Sequence, residues 1–202
     1  MTKIKLCGLM RAEDIEAANE IRPDFVGFVF WGKSHRSVSR DKASELKKML
    51  DPAVKAVGVF VDEDINVVKS LLAGGIIDIA QLHGSEDDGY IRELQESTGK
   101  AVIKAFKVRS KDEVKMAEQS PADYILLDSG AGTGVAFDWK LLEDAGRPYF
   151  LAGGLGVDNV AEAVRSLHPY AVDVSSGIET DKVKDVKKMA AFAAAVRKED
   201  NT

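Results

Sequence analysis

One cysteine, three histidines, five prolines and no long apolar run: this 202-residue chain is marked first by what it has little of. A lone Cys7 can form neither an internal disulfide nor a thiolate metal cluster, which excludes the stapled small-domain classes. His35, His83 and His168 are far apart and no H-E-x-x-H pattern occurs, so no metal site is expected. The longest stretch free of charge, 148–157, holds ten residues. A membrane-spanning helix needs roughly 20, so no membrane association is expected. Charged Glu13 and Asp14 follow soon after the first strand-like run, so no secretory leader is expected. Positive charge is also short: 28 basic residues face 33 acidic ones, the net charge is −5, and no basic block exists to grip nucleic acid. The chain therefore reads as a soluble cytoplasmic protein.

What the chain does have is alternation. Short β-branched runs at 4–7, 25–30, 55–61, 78–82, 102–106, 124–128, 149–152 and 171–175 are each followed by a segment with helical apolar spacing, as in Val160, Ala163, Val164 and Leu167. Ser39, Ser110 (with Glu113 in a capping-box arrangement) and Asp158 read as helix starts. The runs 25–30 and 56–61 are apolar at nearly every position, so both their faces must be covered, which means a parallel sheet. A doubly wound nucleotide binder would show G-x-G-x-x-G straight after its first strand, whereas this chain has Cys7-Gly8-Leu9-Met10. Eight βα beats in 202 residues, with no linker, predict one single-domain (βα)8 TIM barrel over 1–202, near the minimal size for that fold.

Chemistry in such a barrel gathers at the C-terminal strand ends. Gly153-Gly154 after the seventh strand and Ser175-Ser176-Gly177 after the eighth sit where backbone amides and a helix N-terminus commonly hold a phosphate, although glycines also serve simply to make tight turns. The glycine-rich segment 130–134 reads as a third, flexible loop and as a lid. Free cysteines are mostly inert small hydrophobes. Cys7, as the last residue of its strand, would nevertheless bring its thiol to the barrel mouth, as nucleophile or base if its pKa falls below about 8.5. Asp128 ends an apolar run, either capping a turn or acting as an acid with a raised pKa. Arg36 is either a solvated side chain or a planar clamp for a carboxylate. His83 fits a supporting role beside a neighbouring loop, and His35 and His168 read as surface or cap residues.

Taken in order, these segments resemble the phosphoribosylanthranilate isomerase family of tryptophan biosynthesis. The likeness runs from Lys5 to about Arg197. It rests on Lys5-Leu6-Cys7-Gly8-Leu9, Lys33-Ser34-His35-Arg36-Ser37, Gln81-Leu82-His83-Gly84, Leu127-Asp128-Ser129, Leu151-Ala152-Gly153-Gly154-Leu155 and Asp173-Val174-Ser175-Ser176-Gly177-Ile178-Glu179. The resemblance implies an Amadori rearrangement of N-(5′-phosphoribosyl)anthranilate to 1-(2-carboxyphenylamino)-1-deoxyribulose 5-phosphate. By the same resemblance Cys7 is the general base and Asp128 the general acid, Arg36 holds the anthranilate carboxylate, and the backbone at Gly154, Ser176 and Gly177 holds the phosphate. No cofactor and no metal are expected. A monomer is expected, with a homodimer as the alternative. The chain departs from the common family pattern at His35, where a proline is frequent, and at Val135, where a basic residue is frequent. A related aminoaldose isomerase of histidine biosynthesis would use two aspartates, and a non-catalytic phosphosugar-binding barrel would lack the acid or the base.

Overall fold

Strands that are apolar on both faces need cover on both, and a barrel closed on itself inside a ring of helices provides it. The computed structural model describes residues 1–128 and 139–200. Its strands β1 (Lys3–Cys7), β2 (Phe25–Val29), β3 (Lys55–Phe60), β4 (Ile79–Leu82), β5 (Val102–Lys107), β6 (Tyr124–Asp128), β7 (Tyr149–Ala152) and β8 (Ala171–Val174) are all parallel and pair in chain order. β8 closes the barrel on β1, with Lys5 opposite Asp173. Every expected strand is present, and no end is displaced by more than one residue. A two-stranded hairpin, β9 (Glu179–Thr180) with β10 (Val183–Lys184), follows β8.

The pleat sorts side chains between two compartments. Ile4, Leu6, Val26, Phe28, Val172 and Val174 point outward and pack under the helices. Phe25, Val57, Ile103, Leu126 and Phe150 point inward and fill the barrel floor, where Phe25 and Phe150 stand 5.3 Å apart and Tyr124 stacks on Tyr170 at 5.4 Å. Higher in the same interior lie Cys7, Val29 and Val59. On β6 the inward set runs from Tyr124 and Leu126 at the floor to Asp128 at the mouth.

Seven α-helices are described: α1 (Ala12–Ile21), α2 (Arg40–Met49), α3 (Ile65–Ala73), α4 (Asp88–Thr98), α5 (Lys111–Glu118), α6 (Val160–Leu167) and α7 (Val186–Glu199). Ser39 and Ser110 cap α2 and α5 as their sequence pattern predicts, accepting from the N–H groups of Lys42 and Glu113. Glu113, however, receives the N–H of Arg109 rather than that of Ser110, so the capping box is displaced by one residue. Asp158 does not start a helix. The N-cap of α6 is Asn159, whose amide is occupied elsewhere: Oδ1 accepts from Gly156 N–H at 2.9 Å and Nδ2 donates to the Gly154 carbonyl at 2.9 Å. The glycine turn needs those bonds, and the helix begins after them. Between β6 and β7 the described residues hold one 3-10 turn, Trp139–Leu141. The lid expected at 130–134 and the departure at Val135 lie outside the described residues.

Candidate active site

The barrel mouth opens into a cavity of about 410 Å³ lined by Cys7, Arg36, Gln81, His83, Lys107, Asp128, Asp173, Ser175 and Ser176, with the Gly153-Gly154 turn at its edge. Five of the six site residues proposed from sequence therefore share one cavity. Gly177, the sixth, lines an adjoining cavity of about 580 Å³ that shares Gly154, Leu155 and Ser176 with the first.

Cys7 reaches the interior because it shares the inward face of β1 with Lys5, two residues earlier. Across from it is Gly27, the register partner on β2, and a Cβ there would stand 2.6 Å from the Cys7 sulfur. Only glycine leaves the thiol its space. The sequence reading requires the Cys7 pKa to fall below its free value, and here the structure differs. Burial pushes the thiol up, with Asp173 adding to the rise, against the pull of Lys5 and Lys184. Lys5 is fully buried and its Nζ donates to Asp173 Oδ1 at 2.8 Å. Burial alone would lower the Lys5 ammonium, but Asp173 and Cys7 outweigh it and hold its pKa above the ordinary value.

A second ionic group lies beside the first. Arg36 Nε and Nη2 donate to the two carboxylate oxygens of Glu179 at 2.6 and 2.8 Å, a bidentate fork that fixes the guanidinium plane. Lys184, itself buried, donates to Glu179 Oε1 at 2.7 Å and to the Ser175 carbonyl at 2.9 Å. Burial would raise the Glu179 pKa, but hydrogen bonds from Arg36 and Lys184 overcome it and hold the carboxyl down at about 2. Arg36 keeps N–H groups beyond those given to Glu179, so the fork can still meet a ligand carboxylate. His35, the departure from the family pattern, is half exposed, its Nε2 3.8 Å from Glu179 Oε2. His168 is the left-handed C-cap of α6, as its reading as a cap requires.

Across the mouth stands Asp128, with its carboxylate about 20% exposed. His83 presents Nε2 to Asp128 Oδ2 at 3.5 Å, which puts it in direct view of the acid rather than in a neighbouring loop. Gln81 Nε2 stands 3.1 Å from His83 Nδ1. An amide donor there makes Nδ1 the acceptor and leaves the ring proton on Nε2, facing Asp128. Gln81 is buried, and its Oε1 has no hydrogen-bond partner among the described residues. Buried acceptors are ordinarily paired, and Gln81 lines the cavity, so a turn of its amide would offer this oxygen to a ligand O–H or N–H. Lys107, the register partner of Asp128 on β5, adds a cation at the rim. Asp62 accepts from Ser85 and faces a neighbouring cavity, apart from Asp128 and Asp173.

The two glycine turns meet edge to edge. Gly153 and Gly154 have φ of +93° and +64°, values that favour glycine. Gly156 bridges to Gly177, and a Cβ on Gly177 would overlap the Leu155 carbonyl oxygen. Lys187 and Lys188 of α7 line the same pocket, so backbone amides, a helix N-terminus and cationic side chains converge where an anion would sit. Sequence reasoning placed Gln81 and Lys107 at strand ends without a role, gave none to Lys5 or Glu179, and missed Lys184 and this lysine pair. Position two before Cys7 on one strand face could have identified Lys5. Nothing local could have identified Lys184, which arrives on the β9–β10 hairpin.

A family model for N-(5′-phosphoribosyl)anthranilate isomerase matches residues 4–195. A relative of that name from Endomicrobium trichonymphae is 45% identical over 194 residues, covering 94% of this chain and 95% of its own length. A solved structure of monomers generated from the dimeric phosphoribosylanthranilate isomerase of Thermotoga maritima superposes with a TM-score of 0.88 at 34% identity, covering 98% of this chain and all of that one. A structure of the enzyme in complex with reduced 1-(o-carboxyphenylamino)-1-deoxyribulose 5-phosphate gives 0.85 at 33% identity, with the same coverage.

Proposed function

This chain belongs to the N-(5′-phosphoribosyl)anthranilate isomerase family, and we propose from that membership how its own residues carry the aldose–ketose isomerisation of tryptophan biosynthesis. The phosphate of the substrate sits on the amides of Gly154, Ser176 and Gly177, and the anthranilate carboxylate meets the free edge of the Arg36 fork. The sugar then lies between Asp128 and Cys7. Asp128 donates its proton to the furanose ring oxygen, the C1′–O bond breaks, and the anthranilate nitrogen takes up the positive charge as a Schiff base. The Cys7 thiolate removes the C2′ proton, the electron pair moves toward nitrogen, and the resulting enolamine tautomerises to the 2′-ketone. The steps are proton transfers, one C–O bond cleavage assisted by the nitrogen lone pair, and shifts of π bonds, with no net loss of electrons from the substrate. Neither a redox cofactor nor a metal is therefore required, and activity should be full in the presence of a chelator.

The observation that carries this reading is the placement of Cys7 and Asp128, on β1 and β6, in the walls of one cavity whose rim holds both anion cradles. An acid and a base arriving from separate strands can reach two different atoms of one small sugar. Turnover of freshly made phosphoribosylanthranilate, followed by loss of its fluorescence, tests the activity; failure of the purified protein to turn it over would overturn the assignment. The whole chain, 1–202, acts as one domain and as a monomer in the cytoplasm. No helix among the described residues is long and apolar enough to cross a membrane. Sedimentation at working concentration tests the oligomeric state, and a dimer there would replace the monomer reading.

A further inference from the structure

The base assigned to Cys7 has an electrostatic problem that the same barrel wall addresses. A thiol buried in an apolar interior is harder to ionise, because the thiolate loses its hydration. Cys7 is buried and packs against Val29 and Val59. A thiolate there needs a fixed cation close by, and that cation must not lose its own proton on burial.

Lys5 meets both conditions. It lies on the inward face of β1, two residues before Cys7, and is among the largest fully buried side chains of the molecule. A buried lysine tends to shed its proton unless paired, and Lys5 Nζ is anchored 2.8 Å from Asp173 Oδ1, its register partner on β8. Cys7 stands two residues further along the same inward face, so the ammonium and the sulfur face the same interior. The other charged groups that face Cys7 are Asp173 from β8, Lys184 from β10 and Arg36 from the loop after β2. Lys184 and Arg36 are both committed to Glu179. Asp173 is negative and works against the thiolate, and Lys5 turns it into an anchor for positive charge instead.

We propose that Lys5 is a positioning residue for the isomerisation: its ammonium, held protonated by Asp173, orients the Cys7 sulfur toward the substrate and stabilises the thiolate. Lys5, fully buried behind the cavity wall, thus acts through Cys7. This inference rests on the reading of Cys7 as the base, and it predicts a property of Cys7 that exists without substrate.

Cys7 is the only cysteine, so its ionisation can be read by alkylation. The rate of reaction with iodoacetamide, measured against pH in the free protein, gives the midpoint at which the thiolate forms. In Lys5→Met that midpoint should rise by about 1–3 pH units, the effect of removing an opposite charge at close range. The plateau rate at high pH should stay near that of wild type. kcat should fall at neutral pH and recover as pH rises through the new midpoint, with KM nearly unchanged. Lys5→Met leaves Asp173 buried without its partner and can fail to fold, so Lys5→Met with Asp173→Asn, which removes both charges, serves as the second variant. In folded Lys5→Met an upward shift supports the proposal and a midpoint matching wild type overturns it. In the double variant the lost Asp173 charge offsets part of the rise, so the upward shift is smaller, and a midpoint at or below that of wild type overturns the proposal. The failure of the base assignment would look different: Cys7→Ser would keep its turnover whatever the alkylation profile does.

Discussion

The two walls of the cavity solve opposite problems. On the side of β1, β2 and β8, charge is dense and locked: Lys5 holds Asp173, while Arg36 and Lys184 hold Glu179, all at hydrogen-bonding distance. On the side of β4 to β6 the polar groups form a relay instead, with Gln81 Nε2 3.1 Å from His83 Nδ1 and His83 Nε2 3.5 Å from Asp128 Oδ2. A buried thiol becomes a base only where cations compensate its lost hydration, whereas a carboxylic acid needs access to its proton and to solvent for reprotonation. The difference teaches where substitutions should cost stability as well as rate: on the locked wall a lost partner strands a charge, and on the open wall it strands little.

The largest test of that contrast is removal of the proton carriers. Cys7→Ser and Asp128→Asn should each lower kcat by ~10²–10⁴-fold, the usual loss for a positioned acid or base, while thermal unfolding stays near that of wild type. A Cys7→Ser enzyme with near-normal turnover would remove the thiolate from the mechanism and with it the reason for the locked wall. Next comes Arg36→Ala. A charge-assisted hydrogen bond contributes about 1.5–3 kcal/mol, which corresponds to roughly 10–150-fold, and the loss should appear in KM because the carboxylate is present before and during the reaction. Arg36→Lys should rescue little, since a single ammonium cannot hold Glu179 and a second carboxylate in one plane. A change confined to kcat would show that Arg36 serves the chemistry rather than binding.

Those walls were unequally readable from sequence. The eight strands followed from unbroken apolar runs such as Phe25-Val26-Gly27-Phe28-Val29, because a strand covered on both faces has no polar side to confuse the pattern. Cys7, Asp128, Arg36 and the glycine turns stood out because the barrel puts chemistry at strand ends, a rule that needs only the register of each strand. The locking partners did not stand out. Lys5 and Lys184 look like ordinary surface cations in one dimension, and their burial depends on closure of β8 onto β1 and on a hairpin that follows it. Asp158 misled for a local reason: an aspartate and an asparagine stand side by side, and only the bonds of the glycine turn decide that Asn159 is the cap.

Acid titration sharpens the contrast at intermediate size. The Glu179 carboxyl is held at about 2 against an ordinary 4.5. A depressed carboxylate contributes stability that is fully present above its unfolded value and is lost as pH falls through the folded one. The unfolding midpoints of wild type and Glu179→Gln should therefore differ most at neutral pH, and the gap should close between pH 4.5 and about 2. A gap that persists unchanged down to the lowest pH would mean that packing, not charge, accounts for the role of Glu179.

The smallest expected effect lies on the open wall and has opposite signs for folding and for binding. Gln81 keeps a buried Oε1 without a partner among the described residues, and such an acceptor costs the free protein about 1–3 kcal/mol of desolvation. Replacing it by methionine, similar in length and without the acceptor, removes that cost and also the 3.1 Å contact with His83. The two changes offset, so the unfolding temperature of Gln81→Met should equal or exceed that of wild type. If the vacancy exists for a hydroxyl or N–H of the substrate, the same change should raise KM by about 5–10-fold, the worth of one hydrogen bond of about 1–1.5 kcal/mol. Measuring both on one preparation separates the two readings of the orphan oxygen. Higher stability with weaker binding marks a group kept unpaired for its ligand, while lower stability with unchanged KM would make Gln81 a structural member of the barrel wall and place substrate recognition entirely on the other side of the cavity.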